Sequence, residues 1–222
     1  MFRVVIQQAA NVVVPRWVAD LGSFHRWVRS KEFPDHGRID FLAGQIWIDM
    51  SEEQLFAHVR VKGDFCRVLS NLERESRQGF YLVDGARVSH PEADLSAVPD
   101  GVFIRNESVQ SMRVQIVAGA GGGHVRIAGG PDLVLEVVSA SSVQKDTVRL
   151  RELYWRAGVR EYWLVGARRE PPAFTILRHA ARGFVAVRKR AGWLRSDVLG
   201  KSFRLTQQAD PLGHPAFTLE VR

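Results

Sequence analysis

Two carboxylates interrupt an apolar stretch near the middle of the chain, in the segment PDLVLEVVS at residues 131–139. Side chains alternate between the two faces of a strand, so Asp132 and Glu136 would share one face. Burying an isolated carboxylate is unfavourable, and Glu136 must therefore be solvated, paired or bound to a metal. Asp132 follows a proline at the strand entrance, where an aspartate commonly makes a local turn hydrogen bond. Glu136 is the stronger candidate for a metal ligand.

A second Pro-Asp pair lies upstream, where Asp100 precedes the apolar segment GVFI. Asp100 and Glu136 on neighbouring strands could hold Mg²⁺, which binds a few carboxylate oxygens and keeps several waters, and Mn²⁺ is an alternative ion. In phosphodiester hydrolysis the ion would activate water and stabilise charge on the phosphate. A nearby Lys or Arg could orient the water or neutralise the transition state. Charges at the rim of an ordinary strand are the competing interpretation.

The segment SEEQLFAHVRVKGDFCRVLSNLERES predicts a long helix that begins with the capping-box pattern Ser51-x-x-Gln54. His58 and Lys62 are spaced i, i+4 and so lie on one helix face, with Glu53 one turn earlier. This face could supply an acidic or basic group to a catalytic site, but a solvated surface stripe explains the same spacing. His58 alone does not predict a metal site, because no helical His pair or third ligand is evident.

The elements around these residues predict a mixed sheet. The segments RIDFLAG and QIWIDM predict a hairpin that turns at Ala43-Gly44. The Glu136 strand, a helix from about Ser142 to Ala157 and the strand EYWLV form a βαβ unit, expected to be right-handed and parallel. Ligands bind at the carboxyl ends of strands in open α/β sheets, where Glu136 lies. We therefore expect an α/β (α+β) architecture, a mixed central sheet flanked by helices, with additional antiparallel hairpins.

The chain of 222 residues is long enough to bury a sizeable core in one domain. We expect a single domain over residues 1–222, with a helical extension at 1–36, a core at 37–166 and a C-terminal β-meander at 167–222. The segment VADLGSFHRWVRS has the helical spacing of apolar residues expected for the extension. The glycine stretch AGAGGGH predicts a mobile loop within the core.

The balance of charge favours a polyanionic partner. The chain has 31 Lys and Arg against 24 Asp and Glu, a formal net charge of +7, which favours nucleic acid before an anionic membrane surface. The C-terminal hairpins concentrate basic residues around Trp193, namely Arg178, Arg182, Arg188, Lys189, Arg190 and Arg195. Strands could present several of them as a phosphate-contacting surface, and a solvated hairpin is an equal alternative.

The single cysteine, Cys66, excludes an internal disulfide framework and a cysteine-rich zinc site. The N-terminal segment lacks the pattern of a secretory signal. No apolar run approaches the roughly 18 residues needed to span a bilayer. We expect a cytoplasmic protein.

Three segments carry a resemblance to a known family: PDGVFI, PDLVLEVVSASSVQKD and LYWRAGVREYWLV. They resemble the Uma-type family of restriction-endonuclease-like proteins, within the PD-(D/E)XK nuclease superfamily. The similarity extends from about Gly37, through Asp40, Gly44 and His58, to near Val165. It implies a central mixed sheet with flanking helices and a Mg²⁺-dependent site that cleaves DNA phosphodiester bonds.

The resemblance implies that Asp100 and Glu136 bind the metal, and it exposes one departure from the family pattern. The superfamily places a Lys two residues after the Glu, where this chain has Val138. Many relatives take the Lys instead from the following helix, four residues after an Asp that matches Asp146. That position holds Leu150 here, so both expected lysines are missing.

Lys145 and Arg149 are the nearest substitutes for the missing lysine. At about 100° per residue, an α-helix places both on a stripe away from its apolar side, which predicts solvated side chains. However, the first turn of this helix returns beside the end of the Glu136 strand, and a Lys stem is long and flexible. We assign Lys145 as the catalytic cation, with Arg149 as the substitute. Asp146 would complement the helix dipole or orient the active-site base.

Two functions remain open from the sequence. The first is a metal-dependent endonuclease that hydrolyses DNA with Asp100, Glu136 and Lys145. The second is a nuclease-fold protein without catalysis that serves as a DNA-binding or protein-interaction module, because Val138 and Leu150 stand where Lys is expected. A homodimer would suit double-strand cleavage, but no interface is identified by the sequence.

Overall fold

The computed structural model describes residues 3–6, 12–119 and 121–222. Two π-helical segments in these residues run directly into α-helices, Leu55–Arg60 into α2 and Lys145–Leu150 into α4. The α-helices are α1 (Leu21–Val28), α2 (Val61–Ser76), α3 (Asn106–Gln110) and α4 (Arg151–Arg156). No helix in the described ranges is long and apolar enough to cross a membrane.

The described strands are short, and most have between three and eight residues. The first eight in chain order are β1 (Arg3–Ile6), β2 (Arg38–Leu42), β3 (Gln45–Asp49), β4 (Gly79–Val83), β5 (Val88–His90), β6 (Leu95–Ala97), β7 (Gly101–Arg105) and β8 (Val114–Ala118). The others are β9 (His124–Gly129), β10 (Leu133–Val137), β11 (Glu161–Gly166), β12 (Ala173–Ala180), β13 (Gly183–Ala186), β14 (Leu194–Arg195), β15 (Ser202–Ala209) and β16 (Pro215–Val221).

These strands form three sheets with helices packed against them. A seven-stranded sheet has the order β1-β3-β2-β6-β5-β9-β8, and a six-stranded sheet has the order β13-β12-β11-β10-β7-β4. Strands β14, β15 and β16 make a separate antiparallel sheet. Both larger sheets mix parallel and antiparallel pairs, as β1 and β3 are parallel and so are β10 and β11. The predicted α+β architecture with a mixed sheet and additional antiparallel hairpins is confirmed.

The six-stranded sheet brings the two predicted metal ligands together. Strand β10 is parallel to β11, which confirms the predicted βαβ unit, and antiparallel to β7. In the β7–β10 register Leu135 pairs with Gly101, so the next step along the ladder sets Glu136 beside Asp100. The Val137 amide donates to Asp100 Oδ2 at 2.7 Å, and this bond holds the Asp100 carboxylate against the end of β10. Strand register therefore determines where the two carboxylates meet.

Strand β10 is buried on both faces, which explains its nearly continuous apolar sequence. Leu133, Leu135 and Val137 belong to a core that includes the apolar side of α2. Val134 belongs to a second core, which contains Tyr154 from α4. Glu136 shares the Val134 face and contacts Tyr154. The predicted alternation along this strand is confirmed.

Two local predictions are confirmed near the N-terminus. Helix α1 begins after Asp20, whose side chain accepts from the Ser23 amide in a capping box. Strands β2 and β3 pair as a hairpin that turns at Ala43 and Gly44, both with positive φ. The predicted glycine loop connects β8 to β9, and position 120 within it lies outside the described residues.

The predicted start of the long helix at Ser51 is wrong. Helical structure begins at Leu55, after an extended Gln54 whose side chain makes no capping bond. The Ser51 amide and hydroxyl bond to Asp49 Oδ1 at 3.0 and 2.6 Å. This local side-chain bond satisfies Ser51 in a turn, and it therefore does not act as a helix cap.

The predicted C-terminal meander is divided between two sheets, and Glu161 connects them. Strands β12 and β13 belong to the six-stranded sheet, whereas β14 to β16 form a separate three-stranded sheet. Buried Glu161 accepts from the Ser196 hydroxyl at 2.7 Å and from the Trp163 indole at 3.0 Å. It also accepts from the amides of Asp197 and Val198 at 2.6 and 3.2 Å. This carboxylate ties the start of β11 to the segment after β14.

Replacing Glu161 with Ala is expected to lower the free energy of unfolding by about 3 kcal/mol, because several buried hydrogen-bond donors lose their acceptor. Urea denaturation followed by tryptophan fluorescence measures the loss. The matched control is Glu75→Ala on exposed α2 surface, which should change the free energy by about 0.5 kcal/mol or less. Equal stability of the two variants would contradict the assigned role of Glu161.

Candidate active site

A cleft of about 290 Å³ opens where β7 begins and β10 ends. Its walls include residues from the β2–β3 hairpin, the π-helical segment before α2 and the segment after β10, among them Arg38, Asp49, Glu53, His58, Ser142 and Lys145. Asp100 is buried and bonds to Arg38 from this lining. The cleft therefore lies at the strand edge where the sequence predicts a ligand site.

Asp100 is held as an anion by a ring of cations. Its Oδ1 accepts from Arg38 Nη2, and Lys62 Nζ lies 3.6 Å from the same oxygen. Burial favours the neutral carboxyl and acts to raise the pKa of Asp100. The positive charges of Arg38, His58 and Lys62 outweigh burial and lower the pKa below its ordinary value.

Glu136 has the opposite electrostatic setting. It is 1% exposed, and Oε1 accepts from the Tyr154 hydroxyl at 3.2 Å. Burial, followed by the negative charges of Asp146 and Asp100, raises the pKa of Glu136 well above its ordinary value. Lys145 and Arg38 only partly oppose this rise. A divalent cation among these carboxylates would relieve their repulsion.

Lys145 lies inside the site. Its Nζ is 3.2 Å from Asp40 Oδ2 and 3.8 Å from Asp146 Oδ1, and the residue is 2% exposed. Burial acts to lower the pKa of Lys145, but Asp40, Asp146 and Glu136 raise it overall, so the amine stays protonated. The alternative of a solvated side chain is excluded by this burial. Lys145 begins a π-helical segment, and its i to i+5 bonding invalidates the phase calculated for an α-helix.

Asp40 connects Lys145 to the strand that carries Asp100. Its Oδ2 contacts Lys145, and its Oδ1 accepts from the Val98 amide at 3.0 Å, two residues before Asp100. Asp40 is buried in the middle of β2. The sequence analysis noted this residue only within the span of family similarity. A lone carboxylate in the apolar strand RIDFL is the same signal that identified Glu136.

His58 lies against two carboxylates rather than on the surface. His58 Nδ1 is 3.2 Å from Glu53 Oε2, and Nε2 is 3.8 Å from Asp100 Oδ2. One ligand atom from each of Glu53, His58 and Asp100 lies within 4.8 Å of the others, a grouping that could hold a metal ion. Lys62 is also buried and approaches Glu53 Oε2 at 2.7 Å. The surface-stripe alternative is excluded because both side chains are buried. The third group, which the local sequence does not reveal, is Asp100 and is supplied by tertiary folding.

Arg38 is a site residue that the sequence analysis missed. Besides Asp100, its Nη2 lies 3.1 Å from Glu53 Oε1 and 3.7 Å from Asp84 Oδ2. It occupies the first position of β2, and nothing in its local sequence separates it from other surface arginines. Its role follows only from the tertiary contact between the start of β2 and Asp100, the residue before β7.

Two predicted supporting residues lie outside the cluster. Asp132 is buried at the opposite end of β10 from Glu136, where it accepts from the Arg105 amide at 2.8 Å and the Ser108 hydroxyl at 2.9 Å. It anchors the entrance of the strand. Arg149 is exposed and makes no side-chain hydrogen bond or ion pair within the described chain. Asp146, in contrast, belongs to the cluster around Glu136.

The donors present suit a hard divalent cation. Asp146 is buried, and its Oδ1 has no hydrogen-bond partner among the residues that the structure describes. Burial is the main reason that the pKa of Asp146 rises to about 6. Together with Glu136 and Asp100, this residue offers carboxylate oxygens, which are the ligands that Mg²⁺ and Mn²⁺ prefer. Asp100 also lies with Glu53 and His58 in a group whose ligand atoms are within 4.8 Å of one another. The buried carboxylates and this group both fit a bound cation.

Comparisons with known proteins identify a family and a similar fold. The Uma2 family model, described as "Putative restriction endonuclease", matches residues 21–205. A crystal structure from Anabaena variabilis ATCC 29413, described as a putative nuclease belonging to DUF820, has a similar fold with a TM-score of 0.61. The two proteins share 15% sequence identity over 82% of this chain and 90% of that one, so the likeness shows the fold alone. A search of curated proteins found no match.

Proposed function

The chain belongs to the Uma2 family of restriction-endonuclease-like proteins, and from this premise we propose that it is a metal-dependent endonuclease that hydrolyses DNA phosphodiester bonds. One observation carries the proposal: Glu53, His58 and Asp100 bring ligand atoms within 4.8 Å of one another at an open cleft, and the buried Glu136 lies beside Asp100, one residue beyond the Leu135–Gly101 pair of β10 and β7. Buried carboxylates crowded around a cation suit the binding of metal and phosphate more than the stability of the fold.

Asp100 and Glu136 are the residues that would hold Mg²⁺ or Mn²⁺, with Asp146 adding negative charge beside Glu136. Glu53 and His58, whose ligand atoms lie within 4.8 Å of that of Asp100, are the further donors at hand. When bound, the ion acidifies water and stabilises the charge that develops on the phosphate. Arg38 and Lys62 neutralise Asp100. A cation held by Asp100 would make these two side chains available to a phosphate in the cleft.

Lys145 supplies positive charge at the reacting phosphate. Because its pKa is raised, the amine cannot serve as a base, and donation to a phosphate oxygen is the role left to it. Asp40 is a positioning residue that holds the amine in place. Water oxygen attacks phosphorus and releases a proton to solvent, the bond from phosphorus to the leaving oxygen breaks, and the leaving oxygen takes up a proton from solvent.

The competing function, a binding module without catalysis, rests on the absence of Lys at Val138 and Leu150. The buried position of Lys145 supports the enzyme instead, because a cation reaches the carboxylate cluster from one residue before Asp146. Its enclosure by Asp40 and Asp146 is the arrangement expected of a catalytic group held in one orientation.

Purified protein is expected to nick supercoiled plasmid with Mg²⁺ or Mn²⁺ and to leave it intact with EDTA. Single-stranded DNA run in parallel defines the substrate form. Cleavage should increase as pH rises through about 6, because Asp146 adds its negative charge beside the proposed cation site only after it has lost its proton. Gel densitometry over a pH series measures both effects. No cleavage with either ion, together with no metal-induced rise in melting temperature, would refute the enzyme.

The same pKa predicts how metal affects stability. The folded pKa of Asp146 is raised, so its contribution to stability is complete below the unfolded value of 3.8 and is lost as pH rises through about 6. A bound cation reverses this loss by pairing with the ionised carboxyl. The metal-induced rise in melting temperature should therefore be larger at pH 8 than at pH 5.

A further inference from the structure

A second, larger concavity of about 620 Å³ lies between β12, β13 and the segment around β14. Arg178 on β12 is paired in register with Glu161, the first residue of β11, whereas Glu136 lies near the last residue of β10. Strands β10 and β11 are parallel, so the concavity begins at the opposite end of the sheet from the cleft. We call it the arginine groove, after the guanidinium groups that line it: Arg178, Arg188, Arg190, Arg195 and Arg222.

The arginine groove carries a surplus of positive charge. Its lining has five guanidinium groups and the single carboxylate of Asp197, which pairs with Arg178 at 2.9 Å. The other four arginines are exposed, and no carboxylate oxygen of the described chain lies within 4.0 Å of their nitrogens. Unpaired like charges close together repel, and an anionic ligand would remove that repulsion.

The aromatic side chains of the groove are already stacked. Trp193 has Arg222 over its ring at 4.3 Å and Arg204 at 4.7 Å. His179 stacks on Trp155 with ring centroids 5.9 Å apart. Each ring therefore already has a stacking partner within the protein, which leaves less aromatic surface for the bases that single-stranded nucleic acids stack. The groups of the groove that remain available to a ligand are therefore the guanidinium groups, which bind phosphates.

We propose that the arginine groove binds the sugar–phosphate backbone of duplex DNA at a distance from the bond that is cleaved, without reading its sequence. This inference rests on the proposed function, since the ligand is the substrate of that reaction. Arginine forks match phosphate oxygens in geometry and charge. The groove would thus anchor the duplex while the cleft engages one phosphodiester.

The test is the salt dependence of DNA binding in EDTA, where no cleavage occurs. The protein is titrated into a short fluorescein-labelled duplex at a series of KCl concentrations, and binding is followed by fluorescence anisotropy. An unlabelled single strand serves as competitor. The groove variant carries Arg188→Gln, Arg190→Gln and Arg195→Gln. The control variant carries Arg16→Gln, Arg26→Gln and Arg74→Gln, which remove the same charge from exposed positions outside the groove and the cleft.

For the groove variant, the plot of log affinity against log salt should become shallower by about 0.9 for each phosphate that the protein no longer neutralises, or about 2.7 for three phosphates. The control should keep a slope near that of the wild type. A third variant with Lys at the same three groove positions should also keep most of the slope, because charge is retained. Equal slopes for the groove and control variants, or tighter binding of the single strand than of the duplex, would overturn the proposal.

The outcomes separate the groove from the proposed function. Groove-dependent binding without metal-dependent cleavage would support the groove and refute the nuclease. Cleavage with unchanged binding by the groove variant would support the nuclease and refute the groove. Thermal unfolding of each variant confirms that the substitutions leave the fold intact.

Discussion

Replacing Glu136 with Gln is expected to lower metal-dependent plasmid cleavage by about 10³-fold or more. Stabilisation of the transition state by a bound ion amounts to several kcal/mol, and each 1.36 kcal/mol is a factor of ten in rate. The neutral amide keeps the shape of the side chain and its contact with Tyr154 but weakens its binding to a cation. Single-turnover cleavage over a Mn²⁺ series measures the loss.

The same substitution should leave the melting temperature in EDTA unchanged or higher. Burial and the charges of Asp146 and Asp100 disfavour an ionised Glu136, so a neutral isostere removes repulsion. The matched control, Glu152→Gln, changes an exposed carboxylate on the helix after the site and should preserve cleavage. Wild-type cleavage by the Glu136→Gln variant would remove Glu136 from the mechanism. A large drop in melting temperature would make its role structural.

Replacing Lys145 with Gln is expected to lower the cleavage rate by about 10²- to 10³-fold, the usual effect of removing one group that stabilises charge in the transition state. Arg149→Gln is the control. Arg149 lies on the same helical stretch but is exposed, and its loss should leave the cleavage rate near wild type. The reverse result, with activity dependent on Arg149, would transfer the catalytic cation to that residue.

Lys145→Gln should also cost roughly 3 kcal/mol of stability, because Asp40 and Asp146 lose a buried cation. Asp40→Asn tests the positioning role separately, since it keeps Lys145 but weakens its anchor. In the double variant the losses of stability should not add, because the two residues share one interaction. Additive losses would show that Asp40 and Lys145 act independently.

Local sequence determined much of the fold around the site. Alternation within PDLVLEVV indicated β10, and the apolar run with its two carboxylates singled out Glu136. The spacing of strand, helix and strand indicated the parallel β10–β11 pair. These predictions succeeded because side-chain periodicity and chain length between elements are local properties, and neither requires knowledge of distant partners.

Helix phase and helix ends were less predictable. The prediction of an exposed Lys145 assumed α-helical bonding, whereas the chain forms a π-helical segment there. The Ser51 hydroxyl bonds to the nearby Asp49 carboxylate and does not act as the helix cap that its sequence pattern predicted. In both cases, alternatives that differ little in local free energy were decided by surrounding structure.

The composition of the site was decided only by the tertiary structure. The sequence by itself indicated Asp100 and Glu136 as candidates, and its resemblance to the family implied that the usual lysine is missing after them. Folding brings Arg38 to Asp100 across 62 residues and Lys145 to Asp40 across 105 residues. Which charges become neighbours depends on strand order and register, and these are set by burial of the whole core. Local sequence determines which side chains could do chemistry, whereas the packing of distant elements determines which of them meet.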